Sequence, residues 1–370
     1  MTEVKQEEKI EEKENTFKKL EEEIIKTGKC CSCGACVAYC ESQDFNVIEM
    51  SDYTPRYKSE SNIENCTKCQ LCYFICPQTS VLIPQLNEKW LVKNEVGNII
   101  DVLAARTKDE NTKKCCQDGG IVSTVLSFLF EKGKIDAAIV SLYDENFKPF
   151  PKLIFNQTEV SNSSGTRYSI SSNVLPLKDI YKLSMDIIKE KRIYDIDKLN
   201  IAFIGTPCQC RAVNKMKFLN IKPAHVVKYI ISLFCFENFD YDKLMNKLNS
   251  EVKIKSNDIK KTLIKKNFFV ISKDDKKFEI DIKKLNEAVR SHCLECNEFT
   301  GMFSDFSVGA SGAPEGYSMI IIRTDIGARL IKSLISQNLI EPFTVPLDES
   351  NTWKSKKINW FKKMISFKQH

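Results

Sequence analysis

The chain has no apolar run long enough to cross a membrane. Its longest stretches, Ile121 to Phe130 and Val226 to Phe236, are short, and Ser123, Thr124, Ser127 and Lys228 interrupt them. No secretory signal opens the sequence, so its 16 cysteines read as reduced thiols and metal ligands in a cytoplasmic protein, not as disulfides. The body also lacks excess charge. Basic residues number 55 against 49 acidic, a net +6, and residues 351–370 alone supply that excess with six lysines and no acid. A near-neutral body excludes a nucleic-acid groove. No obvious general base stands out. Hydrophobic residues at 42% in 370 positions are enough for two or three domains with buried cores.

What is present is cysteine in a particular spacing. Cys66-Thr-Lys-Cys69-Gln-Leu-Cys72-Tyr-Phe-Ile-Cys76-Pro77 reads C-x2-C-x2-C-x3-C-P, the run that holds a [4Fe–4S] cluster in bacterial-type ferredoxins. A second copy lies upstream at Cys30, Cys33, Cys36 and Cys40. Three thiolates two residues apart wrap three corners of one cubane, and the fourth reaches the other cluster. The crossed assignment gives one cluster to Cys30, Cys33, Cys36 and Cys76, and a second to Cys66, Cys69, Cys72 and Cys40. Paired zinc sites favour two C-x2-C pairs over runs of four.

Residues 1–26 hold nine Glu and six Lys with few apolar positions and read as a charged leader, either a solvated helix or disordered. The ferredoxin-like unit then spans 27–90. From 91 to 345 the texture alternates between helix and strand, which reads as a mixed α/β domain. Within it, Gln117-Asp118-Gly119-Gly120 opens an amphipathic helix, with Asp118 a candidate cap and the glycines a place for a phosphate to approach. Asp136 to Tyr143 and Val226 to Leu233 read as buried strands. Another strand ends at Gly205, after which Thr206 is a natural N-cap and Pro207 a natural first helical residue. Cys208 then sits at a helix N-terminus, where the dipole favours thiolate. Cys293-Leu-Glu-Cys296 gives two further ligands, and Cys208 and Cys235, both after strands, complete a set of four. Zinc stays open for these dispersed cysteines. Cys31, Cys115, Cys116 and Cys210 read as spare thiols.

Several motifs together resemble the beta subunit of coenzyme F420-reducing hydrogenase and its relatives. They are Gly119-Gly120-Ile-Val-Ser-Thr124, Gly165-Thr166-Arg167-Tyr168, Gly205-Thr-Pro-Cys-Gln209, Phe234-Cys-Phe-Glu-Asn238, Cys293-Leu-Glu-Cys296, Asp305-Phe-Ser-Val-Gly309, Gly316 and Arg323-Thr324 with Gly327. They follow the family's order across roughly residues 28–340. The family's Gly-Ser-Lys-Tyr is Gly165-Thr-Arg-Tyr168 here. Two ferredoxin motifs ahead of the flavin domain resemble the layout of the F420H2 dehydrogenase input subunit.

The resemblance implies an FAD-binding domain with a third [4Fe–4S] cluster on Cys208, Cys235, Cys293 and Cys296. Gly119, Gly120 and Thr124 would approach FAD phosphate or ribose. Thr166 and Arg167 would contribute phosphate or substrate contacts, Thr206 and Pro207 would wall the isoalloxazine, and Arg323 would meet an anionic group. The implied activity is hydride exchange between coenzyme F420, or a similar carrier, and FAD, with single electrons passed through the clusters to a redox partner such as a hydrogenase, dehydrogenase or ferredoxin. A ferredoxin-dependent reductase of an organic substrate and a non-catalytic wiring subunit are the alternatives. Residues 346–370 form a basic aromatic tail. Three readings stand for it: packing on the flavin domain, docking on an acidic partner face, or peripheral membrane contact.

Overall fold

The computed structural model describes residues 16–346 and 348–368. Residues 1–15, the larger part of the expected leader, lie outside them. Residues 16–25 are helical, as a solvated helix would be, but one face is buried: Phe17, Leu20 and Ile24 lie against Val37, Cys40, Val47 and Ile48. The three residues recur at spacings of three and four, one helical face, which the surrounding Glu and Lys obscure in the sequence.

Between the two cysteine runs, β1 (Ile48–Ser51) and β2 (Thr54–Tyr57) form an antiparallel hairpin. The remaining chain builds an eight-stranded mixed sheet from β3 (Asp101–Thr107), β4 (Ala137–Tyr143), β5 (Pro149–Ile154), β6 (Ile201–Gly205) and β7 (Val227–Leu233), with β11 (Phe306–Gly309), β12 (Ser318–Ile322) and β13 (Ile340–Pro342). A second, three-stranded antiparallel sheet of β8 (Ile259–Ile264), β9 (Phe268–Ser272) and β10 (Lys277–Ile280) is inserted between β7 and β11. The large sheet runs in the order β13-β3-β12-β11-β7-β6-β4-β5. Strands β4, β6, β7 and β11 are mutually parallel. Because β12 is antiparallel to both β11 and β3, β3 points the same way as the parallel set.

Successive residues divide between the two faces, as strand geometry requires. Ala137, Ile139, Ile201 and Phe203 face a core shared with the Pro207–Phe218 helix. Ala138, Val140, Ala202 and Ile204 face the Ile121–Glu131 and Asp325–Ser336 helices. Burial on both faces explains why these strands read as unbroken apolar runs. The strands expected at 136–143, 200–205 and 226–233 are present with ends within a residue. Leu285 lies in a 3-10 stretch, Ile282–Ala288, that leads to Cys293.

The cysteine-run unit is not a separate bead. Ala35, Ala38, Tyr39 and Ile75 belong to the same core as Val174, Leu177 and Met216 of the α/β part. The C-terminal segment is a helix, Ser350–Lys368, docked on the sheet. Phe361 and Ile365 are buried beside Val102, Ala104 and Ile321, and Phe361 meets Phe234 edge-on at 5.3 Å. Burying such side chains contributes about 1.5–3 kcal/mol each, so the tail packs. Among the described residues, no helix is long and apolar enough to cross a membrane.

Candidate redox centre

The two cysteine runs repeat one backbone path. Ser32 and Gly34 in the first, and Lys68 and Gln70 in the second, take left-handed φ values of 53°, 87°, 51° and 66°. Each pair of left-handed turns coils its loop before a short helix, Ala35–Ser42 or Leu71–Phe74. Three non-glycine residues in this region represent strain of the kind that persists when the surroundings demand it. Only Gly34 is glycine, and a Cβ there would come within 2.9 Å of Leu175 Cβ.

The fourth cysteine of each run lies toward the thiols of the other run. Burial raises Cys76 to about 12, and Cys30 adds to the shift; Cys33 and Cys36 in turn feel the charge of Cys76. Burial also raises Cys40, with Cys66 and Cys69 contributing. Thiols this close push one another toward the neutral form, and a bound cation cluster reverses that tendency. Cys69 is exposed while Cys36, Cys40, Cys72 and Cys76 are buried. Basic residues of the α/β part clamp the unit. Lys215 Nζ donates to Cys76 O at 2.6 Å and Thr79 O at 2.9 Å, Arg211 to Pro77 O at 3.0 Å, and Arg290 to Cys30 O at 3.1 Å.

The four dispersed cysteines meet. Cys208 follows β6, Cys235 follows β7, and Cys293 and Cys296 flank the end of the Ser291–Leu294 helix; all four line one cavity. Each sulfur has a polar hydrogen nearby. Thr206 Oγ1 is 3.2 Å from Cys208, Asn238 Nδ2 is 3.7 Å from Cys235, Asn238 N is 3.4 Å from Cys293, and Lys368 Nζ is 3.4 Å from Cys296. The helix-dipole expectation for Cys208 is reversed: the neighbouring Cys31 thiol and then burial raise it well above the ordinary thiol range.

Cys31, read as spare, opens into the same cavity with His292. Cys31 Sγ, Cys208 Sγ and a His292 ring nitrogen all lie within 4.8 Å of one another. Sulfurs on one tetrahedral zinc, each about 2.3 Å from the metal, sit about 3.8 Å apart, so this trio is compact enough for a single ion. Cys210 is wholly buried in the core, and Cys115 and Cys116 lie before the glycine turn.

Thr206 caps and Pro207 opens the Pro207–Phe218 helix, as expected. Gln209 was missed, although Thr-x-x-Gln is a capping-box signature. Its Oε1 accepts from Thr206 N at 2.9 Å and its Nε2 donates to Ser171 O. Gln209→Leu leaves both backbone groups unpaired in a buried site and will cost about 1–3 kcal/mol, measured as a lower denaturant midpoint.

The flavin candidates divide. Gly120, at φ +67°, caps the Ile121–Glu131 helix in place of Asp118. A Cβ on Gly119 would lie 2.4 Å from Ala105 O, so that glycine serves the close approach of turn and strand. The buried Thr124 hydroxyl is committed to Thr107 Oγ1 at 2.7 Å and Gly120 O at 3.0 Å. The 162–168 loop lies against this turn through Ser123–Ser164 and Gln117–Tyr168 hydrogen bonds of 2.9 and 2.8 Å. Thr166 gives its carbonyl to Tyr143, and Arg167 holds Ser163 O and Ser164 O while stacking over the Tyr143 ring at 4.8 Å. Gln117 Oε1, Ser141 Oγ and Arg167 Nε in this region are buried without partners among the described residues, which a polar ligand would satisfy. Arg323, expected to meet an anion, departs from its role. It lies beside the start of β11, with its donors spent on Val96 O, Asn98 O, Thr300 O and Ser307 Oγ. A buried guanidinium satisfied by carbonyls is a structural tie.

The family described as coenzyme F420 hydrogenase/dehydrogenase, beta subunit, matches the chain in two parts, its N-terminal portion over residues 102–178 and its C-terminal portion over 198–346. A component of the F(420)H(2) dehydrogenase of Methanosarcina mazei is 31% identical over 314 residues, covering 83% of this chain and 82% of that protein. The beta subunit of coenzyme F420 hydrogenase of Methanothermobacter thermautotrophicus is 29% identical over 258 residues, covering 69% and 87%. A chain of the F420-reducing [NiFe] hydrogenase complex from Methanosarcina barkeri shares the fold, with a TM-score of 0.64 at 24% identity over 75% of this chain and 92% of that one. The mixed α/β sheet, the order of the motifs and these similarities agree, and the chain belongs to the family of coenzyme F420 hydrogenase/dehydrogenase beta subunits.

Proposed function

We propose that this chain is the iron–sulfur flavoprotein subunit of an F420-linked oxidoreductase, exchanging hydride with coenzyme F420 or a similar carrier and single electrons with a redox partner protein. When bound, FAD would accept a hydride and release electrons singly, and three [4Fe–4S] clusters would carry them. The observation that carries the reading is the convergence of Cys208, Cys235, Cys293 and Cys296 on the edge of the sheet where β6 and β7 end. In open α/β sheets, ligands bind outside these carboxyl ends. The glycine turn after β3 and the loop holding Thr166 and Arg167 beside the end of β4 lie at the same edge. The unpaired Gln117, Ser141 and Arg167 atoms there suit a polar cofactor.

This chain's residues also supply a line from cavity to surface. Cys31 touches the dispersed set, and its neighbour Cys30 belongs with Cys33, Cys36 and Cys76. Cys72 lies against Cys36, and Cys69 of the next set is exposed. The protein's part is to exclude water at the buried end and present the Cys69 face to a partner. Relatives named as dehydrogenase and hydrogenase subunits support such a partner.

A second reading has its own observation. The compact Cys31, Cys208 and His292 trio favours a single soft ion such as zinc in place of the third cluster. Metal analysis of anaerobically purified protein separates them: about 12 iron per chain follows from three clusters, and about eight iron with one zinc from the alternative. Anaerobic mixing with F420H2, NADH, NADPH and reduced ferredoxin then tests the activity. Flavin reduction by F420H2 is expected. Reduction by ferredoxin alone would favour a reductase of an organic substrate, and the absence of bound flavin a wiring subunit.

A further inference from the structure

Six lysines stand in the C-terminal segment, and the sequence gives no reason to single out one of them. The structure does. Lys368 is 7% exposed, whereas Lys356, Lys362 and Lys363 are exposed and Lys354 pairs with Asp101 at the surface. An ammonium has three hydrogens to donate. Lys368 has three acceptors around it: Glu298 O at 2.6 Å, Cys235 O at 3.0 Å and Cys296 Sγ at 3.4 Å. The helix that delivers it is anchored by Phe361 and Ile365.

We propose that Lys368 tunes the third cluster, its fixed ammonium raising the reduction potential of the group held by Cys208, Cys235, Cys293 and Cys296. The inference rests on the cluster reading of that cavity. Reduction adds one negative charge to a cluster, and potentials respond to nearby charge and to hydrogen bonds on the ligand sulfurs. Arg290 also lines the cavity, but its guanidinium holds Cys30 O and Ser32 Oγ; the other donors on the four ligand sulfurs, Thr206 and Asn238, are neutral. Lys368 alone among these contacts carries a full charge, and its burial keeps water from screening it. Its two carbonyl bonds hold the nitrogen in place in both oxidation states, so little reorganisation opposes the effect. The C-terminal helix thereby sets the driving force at the buried end of the electron path, and its lysines divide into one that faces the cluster and others that face solvent or the protein surface.

The test is an anaerobic redox titration of the full-length protein followed by electron paramagnetic resonance, with Cys296→Ser used to identify the third cluster's signal. Lys368→Gln is expected to make reduction of that cluster at least tenfold less favourable, about 59 mV lower for one electron, while the other two signals stay in place. Lys368→Arg, which keeps charge and donors, is expected to retain most of the wild-type potential. An unmoved potential in Lys368→Gln with about 12 iron overturns the tuning role. Equal shifts of all three signals, or loss of iron from Lys368→Gln, make Lys368 a structural tie and also overturn it. Wild-type protein with only two clusters overturns the cluster reading itself, which metal analysis reveals before any variant is made.

Discussion

Cys40→Ser will remove the cluster of the second cysteine run and leave the cluster of its own run in place. Cys40 ends the first motif, but its sulfur is buried facing Cys66 and Cys69, beside the backbone N–H groups of Val47 and Ile48. Cys76 makes the reciprocal exchange with Cys30, Cys33 and Cys36. Each of Cys40→Ser and Cys69→Ser should therefore lose about four iron of 12 and the same paramagnetic signal, while Cys76→Ser and Cys33→Ser share the other loss. Flavin reduction by the hydride donor should persist in Cys40→Ser and Cys69→Ser, because both act at the exposed end of the path. If Cys40→Ser instead matched Cys33→Ser, the motifs would each close on themselves and the crossed assignment would be wrong.

Removing one partner of the Arg211–Glu298 pair should destabilise the protein by about 3–5 kcal/mol, since the other charge is left uncompensated in the interior. Arg211 Nη2 lies 2.6 Å from Glu298 Oε2, with the glutamate side chain 2% exposed. Among the described residues no aligned hydrogen bond reaches either carboxylate oxygen, so the close ionic contact is what offsets its burial. Arg211 also holds Pro77 O of the second cysteine run, and Glu298 follows Cys296 by two residues, so the pair ties the N-terminal unit to the third cavity. Arg211→Met is expected to lower thermal stability and loosen retention of iron together; Arg211→Lys keeps the charge but not the reach of the fork and should recover only part. A change below about 1 kcal/mol in Arg211→Met, the level of an exposed pair, would show that water reaches this contact.

Much of this was legible in the residues in order. The C-x2-C-x2-C-x3-C spacing names candidate ligands because a cubane held by one tight loop would depend on local geometry, which sequence separation encodes directly. The same holds for β6, for Thr206 and Pro207, and for Gln209, whose capping role is written in the Thr-x-x-Gln spacing. Motif order likewise carried the family, since the chain's matches fall in the same sequence as the residues quoted for it. Local signals failed where the outcome depended on what the chain meets after folding. Cys31 stands beside Cys30 in the sequence, yet it opens into the cavity of Cys208 and His292, from residues far along the chain. Arg323 read as a candidate for an anionic group or for a structural ion pair, and only tertiary structure surrounds it with carbonyls from residues 96, 98 and 300. On a helical wheel Lys354, Lys357 and Lys368 all fall inside the apolar arc of the last helix, and the burial of Lys368 alone follows from acceptors supplied by Cys235, Cys296 and Glu298. The sequence by itself determined the strands and the family, and it marked the candidate ligands. Tertiary structure decided which thiols share a cavity and which cations are buried, because burial and charge pairing depend on distances that sequence separation does not encode.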